Sequence, residues 1–377
     1  MKIIQASKFK NQDWKYIQEK TTLNNPLVLV FGNRFLLDDS DVIDNIRAEF
    51  PYEHIVFGST AGEIVGCNVN DNSISVTAIE FEKSSFIVER KNILDYDKNA
   101  KALGEALYDK IPKEDLKHLF VLSEGSFVNG SSLIKGLEND IDAAVSITGG
   151  MCADDARFEK TLSSYKENPK VGEVILIGFY GETLEISYAS FGGWIPFGPE
   201  RIITKSEANI LYEIDGQPAL DLYKNYLGAK ASELPQASLL YPLNVTPTDK
   251  KEPVVRTILN INNEDQSMIL AGDVPINSRV QLMMASVDGI ATGAQDAANF
   301  AMKNRRNKPE IAILVSCIGR KLVMNQRVEE EVEQVKEAIG ENIPMTGFYS
   351  YGEMAPFNES TSCELHNQTM TLTLISE

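Results

Sequence analysis

The stretch VFGSTAGEIVG, Val56–Gly66, sets a run of small residues and one carboxylate directly after an apolar β-run. The surrounding pattern recurs. A β-run, a helical segment, a second β-run, a small-residue loop and a closing β-run appear three times along the chain. The first copy runs from PLVLVFGNRF (26–35) through DSDVIDNIRAEF (39–50) to HIVFGSTAGEIVG (54–66) and SISVTAIEF (73–81). The second comprises HLFVLSEGSFVNG (118–130), SSLIKGLEND (131–140), AAVSITGGMCADD (143–155) and EVILIGFYG (173–181). The third comprises AILVSCIGRK (312–321), QRVEEEVEQVKEAIG (326–340), PMTGFYSYGEMAP (344–356) and MTLTLIS (370–376). From strand end to loop glycine the spacings agree: Phe31 to Gly58 is 27, Ser123 to Gly149 is 26 and Ser316 to Gly347 is 31.

Each copy reads as a βαβ unit with parallel strands, its loop at the strand carboxyl ends, where α/β folds usually hold ligands. The fold class expected is therefore α/β, in the mixed α+β sense: repeated β-α-β-β units in mixed sheets, with an inserted β-rich segment. That segment, about 130 residues between the second and third copies, carries the short β-runs RIITKSEANILYEIDG, VVRTILNI, QSMILAGD and RVQLMMAS, with VTPTDKKEP (245–253) and NINNEDQ as exposed loops. A domain boundary is placed at Gly228–Leu234, dividing the chain into 1–228 and 229–377.

The formal net charge of −18, from 54 acidic against 36 basic residues, disfavours phosphate backbones and anionic lipid surfaces, so no nucleic acid is expected as partner. The N-terminal MKIIQASKFKNQDWKY lacks an apolar signal core, and no apolar run approaches the roughly 18 residues of a membrane span. A cytoplasmic protein without membrane insertion is expected. Cys67, Cys152, Cys317 and Cys363 lie far apart, which signals neither a disulfide framework nor a thiolate metal site. The three histidines, His54, His118 and His366, show no metal-ligand spacing, so no metal is expected.

Gly58, Gly62, Gly149, Gly150, Gly347 and Gly352 let the backbone approach a guest, or simply make tight turns. With Ser59 and Thr60 they outline a candidate ligand site. Glu63 and Glu353 each follow a loop glycine, and Asp154 falls near the corresponding place in the second copy. These carboxylates suit a ligand ammonium, or cap their own loops. Arg320 suits a ligand carboxylate, or pairs with Glu353. On the first reading Arg320→Ala and Glu353→Ala abolish binding without lowering apo stability. Phe348, Tyr349, Tyr351 and Trp194 are candidates for the apolar part of the site. Cys317 with His366 as base is a weaker alternative, a hydrolase, since no nucleophile motif supports it.

The chain resembles the FIST family, a FIST N module followed by a FIST C module. The first match rests on VFGSTAGEIVG, SITGGMCADDARFEKT and GGWIPFGPERIITKSEANILYEIDGQPALDLYKNYLG; the second on VVRTIL, LAGDVP, SCIGRK, GFYSYGEMAPF and LHNQTMTLTL. It covers nearly everything from about Pro26 to Glu377. The resemblance implies a non-catalytic sensory module that binds a small ligand such as an amino acid. With no output domain in the chain, it implies relay by contact to a partner such as a histidine kinase or other signalling protein. Some similar stand-alone proteins bind haem and sense nitric oxide, which here implies His366, beside Asn367, as axial ligand. The leading expectation carries no cofactor, with haem the alternative; ligand, partner and oligomeric state stay open.

Overall fold

The computed structural model describes residues 1–248, 252–357 and 361–377. The hydrophilic loop 245–253 therefore falls partly outside the described residues. All three repeat copies fold as units of one plan. Their first and second strands are Leu27–Asn33 with His54–Thr60, Leu116–Ser123 with Ser146–Met151, and Ile311–Cys317 with Met345–Ser350. Each pair is parallel, and each first strand also pairs antiparallel with its closing strand, Ser73–Glu80, Glu173–Tyr180 or Met370–Ser376. Every residue of Leu27–Asn33 and Ile311–Cys317 is buried, as continuous apolar runs covered on both faces should be.

The crossover helices bury the stripe that their spacing dictates. In Glu329–Ile339 the residues Glu331, Val332, Val335 and Ile339 are buried, with Glu329, Glu330 and Glu331 in the first turn, where the helix dipole favours acids. Asn129 starts Gly130–Leu137 by accepting from Ser132 N at 2.9 Å.

After each small-residue loop the chain leaves its own sheet. Glu63–Val65 of unit 1 joins the sheet of unit 3, Gly352–Pro356 of unit 3 joins that of unit 2, and Ser163–Tyr165 of unit 2 joins that of unit 1. The exchange is cyclic. Three six-stranded sheets result, related by a pseudo-threefold, and the loops hold one another through matching main-chain bonds: Ala61 N to Tyr349 O (2.9 Å), Ala153 N to Ser59 O (2.9 Å) and Tyr351 N to Met151 O (3.3 Å).

The register makes the units' equivalences explicit. Phe31 lies beside Gly58, Leu122 beside Gly150, and Val315 beside Phe348. Gly58 thus corresponds to Gly150 and Phe348, one residue beyond the glycines aligned from sequence spacing. At this level the centre is filled by protein. Phe31 and Phe348 pack with centroids 4.7 Å apart and ring planes tilted by 38°, a Cβ on Gly58 would lie 2.8 Å from Leu122 Cδ2, and one on Gly150 would lie 2.5 Å from Val315 Cγ1. The guest admitted by these two glycines is the neighbouring unit's side chain, so among the described residues this level of the loops is packed and not hollow.

The insert, between Glu185–Phe191 and the helix Val287–Met302, is an eight-stranded antiparallel sheet beginning with Ile195–Glu207 and ending with Arg279–Met284. Ile203, Leu220, Tyr223, Leu243 and Met268 share its apolar cluster. Residues on both sides of Gly228–Leu234 contribute to that cluster, and Gly228–Glu233 itself is a short 3-10 helix. Two short connections, Gly192–Trp194 and Ala285–Ser286, join insert to core.

Candidate functional site

The loops do converge, but most of their polar side chains are consumed inside the fold. Thr60 and Ser73 hydroxyls hold the Glu63 carboxyl at 2.6 and 2.5 Å; Ser350 and Thr369 hold Glu353 at 2.6 and 2.9 Å, and Thr369 N adds a bond at 3.1 Å. Both carboxyls are buried. Burial pushes Glu63 up to about 8 and Glu353 up to about 7, only partly offset by those hydrogen bonds. At both places the carboxyl is taken up inside the fold, mainly by hydroxyls, and at Glu353 also by the distant Thr369 N, so neither the ligand ammonium nor the loop's own N–H groups is its partner here.

Asp154 is not the counterpart of these glutamates. By register that place belongs to Ser163, because unit 2 carries a longer loop from Cys152 to Leu162 before its crossing strand. Asp154 organises this loop, accepting from Tyr351 OH and from Lys160 N at 3.0 Å. Ser59 is also taken up, its hydroxyl accepting from Leu162 N at 2.8 Å.

Arg320 is fully buried and pairs with Glu331, not Glu353. Its Nε donates to Glu331 at 2.9 Å, Nη2 lies 2.7 Å from the same carboxylate and donates to Ile290 O at 2.9 Å, and Nη1 donates to Gly192 O. Tyr349 OH reaches that carboxylate at 2.5 Å. Trp194 donates to Gln368 O at 2.9 Å and packs among Met283, Ile290 and Met324. Gly62 lies beneath Lys321, and Gly352 faces Leu365 and Met151, while a Cβ at Gly149 would strike Val121 O.

Cys317 is buried, its thiol pushed well up by desolvation, with Glu353 adding to the rise, the opposite of an activated nucleophile. His366 does not fit an axial haem position. It is 4% exposed, its Nε2 lies 3.0 Å from Ala355 O, its ring packs edge-on against Phe357, and it lines none of the cavities described below. Asn367 accepts from Thr257 N at 3.3 Å, tying insert to core.

Open space lies beside the loops, not between them. A cavity of about 310 Å³ is walled by Gly125–Asn129 at the carboxyl end of unit 2's first strand, by Met151, Phe158 and Tyr351 from the loops, and by Asn209, Leu259 and Ile269–Ala271 of the insert. That volume suits a small metabolite. A second hollow of about 170 Å³ adjoins it, sharing Phe158 and Leu259 and adding Arg157 and Gln236. Phe158 and Tyr351 stack at 4.2 Å, and Phe158 holds a positive φ of 55°, a costly conformation for an aromatic residue.

Glu124, wholly buried, shapes the near wall by accepting from Ser126 N (2.7 Å), Phe127 N (2.6 Å) and Thr161 Oγ1 (2.6 Å). The Ser126 hydroxyl is buried and has no hydrogen-bond partner among the described residues, and Asn129 and Asn209 add further polar atoms. A larger hollow of about 670 Å³, among Glu182–Ile186, Arg306 and Glu377, touches none of the three loops. Of the residues named individually from sequence only Tyr351 lines the cleft; SEGSFVNG (123–130) was visible as a strand end, and Phe158, Leu259 and Leu270–Ala271 fall inside quoted stretches, SITGGMCADDARFEKT, VVRTILNI and LAGDVP, without having been named as site residues.

A pseudo-threefold α/β core carrying an inserted β domain, with a lined cleft between them, defines the class of protein. The FIST N domain family matches residues 26–217 and the FIST C domain family residues 219–356, so the chain belongs to the FIST family, whose domains are associated with signal-transduction sensors. An uncharacterized protein of Methanocaldococcus jannaschii is 26% identical over 227 residues, 55% of this chain and 41% of that relative, so the match spans about two-fifths of the relative's length. The crystal structure of a chorismatase at 1.08 Å resolution aligns over 100% of this chain and 98% of its own at a TM-score of 0.38 and 7% identity, a likeness too slight to carry an argument. No helix among the described residues is long and apolar enough to cross a membrane.

Proposed function

We propose that this chain is a non-catalytic sensor module that binds a small polar ligand, such as an amino acid, in the cleft between core and insert and relays occupancy to a signalling partner such as a histidine kinase. The observation that carries this reading is the cavity of about 310 Å³ where loops of units 2 and 3 meet the insert, with a buried hydroxyl at Ser126, unpaired among the described residues, and two stacked rings in its wall. Sites of this kind occur preferentially at domain junctions. A ligand touching both walls favours closure, and the insert can respond only through Gly192–Trp194, Ala285–Ser286 and the contacts across the junction.

The test is a thermal-shift screen of amino acids and small metabolites, since ligand at 100 times its Kd stabilises by about 2.7 kcal/mol. A hit should be lost in Ala271→Trp, which fills the cleft from the insert side, while the apo melting temperature stays near that of the unmodified protein. A hit that survives Ala271→Trp overturns the placement.

A further inference from the structure

The pseudo-threefold creates three related crevices, each where the loop of one unit meets the strand end of another. Two are filled by the chain itself. In the first, Lys321, six positions beyond Val315, sets its ammonium 2.6 Å from Ala61 O and 5.5 Å from the centre of the Tyr349 ring, with Asp71 alongside. The second is occupied by Arg34, three positions beyond Phe31, whose Nε lies 3.7 Å from Asp154, the residue after Ala153. Both side chains are largely enclosed, 14% and 11% exposed, and both are cations from the segment that follows a first strand.

The third crevice differs. Its strand-end segment, SEGSFVNG, supplies no cation; the residue six positions beyond Leu122, the count that reaches Lys321 from Val315, is Val128, in the loop before the helix Gly130–Leu137. Here lies the cleft of about 310 Å³, whose lining residues carry no charged side chain. Lys98 sits over the half-exposed Phe127 ring, 4.5 Å from its centre, and does not line the cavity. Asn129 already caps the helix that starts at Gly130, which tempers the attraction of that helix end for an anion.

We infer that the third crevice is completed from outside by an organic ammonium ion, whose charge takes the place Lys321 Nζ holds in the first, against the main chain at Tyr351 and the Phe158 and Tyr351 rings. This rests on the reading of the cleft as the ligand site and goes further, because it makes the ammonium the recognised group and a carboxylate dispensable. Aromatic faces attract cations most strongly where water is excluded, and the net charge of −18 concentrates cations near the surface.

Three five-carbon probes that differ in their polar end separate the possibilities in calorimetric titrations of the full chain: n-pentylamine, n-pentanol and pentanoate. Pentylamine should bind and the other two should not at the same concentration. Phe158→Leu, which keeps apolar bulk and removes the ring, should weaken pentylamine about tenfold. Ser126→Lys, which supplies an internal cation as Lys321 does, should weaken it at least as much and raise the apo melting temperature. Failure of pentylamine to bind, or equal binding of pentanol or pentanoate lost in Ala271→Trp, overturns the ammonium assignment and leaves the cleft intact as a ligand site. Pentylamine binding unchanged in Ala271→Trp overturns both.

Discussion

Replacing Arg320 by alanine separates the structural role of this residue from the ligand-binding role its sequence position suggested. The guanidinium and the Glu331 carboxylate are both fully buried, 2.7 Å apart at closest, and the arginine also serves Ile290 O and Gly192 O. Arg320→Ala leaves the Glu331 carboxylate with only Ser316 Oγ at 3.0 Å and Tyr349 OH at 2.5 Å. Removing one partner of a buried pair costs about 3–5 kcal/mol, because the other charge stays desolvated. The two carbonyls that lose a donor place the expected loss toward the upper end.

Urea unfolding followed by circular dichroism measures it, alongside Arg320→Met, Glu331→Gln and the double variant Arg320→Met/Glu331→Gln. The double variant should lose less than the sum of its singles, the signature of a direct pair. A loss below about 1 kcal/mol in Arg320→Ala, or additive losses in the cycle, would refute the clamp. The expectation drawn from sequence, abolished binding at unchanged apo stability, is thereby replaced: impaired binding in this variant reports a damaged fold and junction, not a lost ligand contact.

Three further outcomes follow from the same geometry. Glu63 and Glu353 are held above their ordinary 4.5, at about 8 and about 7, so their contribution to stability is fully present below about pH 4.5 and lost as pH rises through 7 to 8. Glu63→Gln should flatten that decline in a urea titration series across pH 5–9, and an unchanged slope would contradict it. Gly150→Ala should cost about 1–3 kcal/mol by pressing on Val315 Cγ1, and Val315→Ala in the same chain should recover part of it; additive losses would count against the central packing. Of the four thiols only Cys67 is part-exposed, so iodoacetamide should modify one cysteine in the native protein and four after unfolding, with rapid native labelling of Cys317 the contrary result.

The repeat was legible because hydrophobic runs, helix stripes and turn residues are local properties, and each recurred at similar spacing. That sufficed for three parallel strand pairs and for loops at their carboxyl ends. Glu63 and Glu353 were likewise readable as equivalent, sharing a Gly-Glu step after the loop. Asp154 was misread since an extended loop moves it away from the register position that Ser163 occupies. Gly58 and Gly150 signalled room correctly, but sequence does not say which side chain takes that room.

Sequence alone determined the α/β units, their number, the β-rich insert and family membership, all of which rest on periodicity and short-range turn chemistry. Tertiary structure decided the cyclic exchange of crossing strands, the burial of Arg320 against Glu331, and the position of the cleft. Those depend on contacts between segments far apart in the chain, such as Ala61 with Tyr349 and Phe158 with Tyr351. Whether a carboxylate or guanidinium faces a ligand or its own fold turns on which distant groups desolvate and pair with it, and local sequence does not encode that.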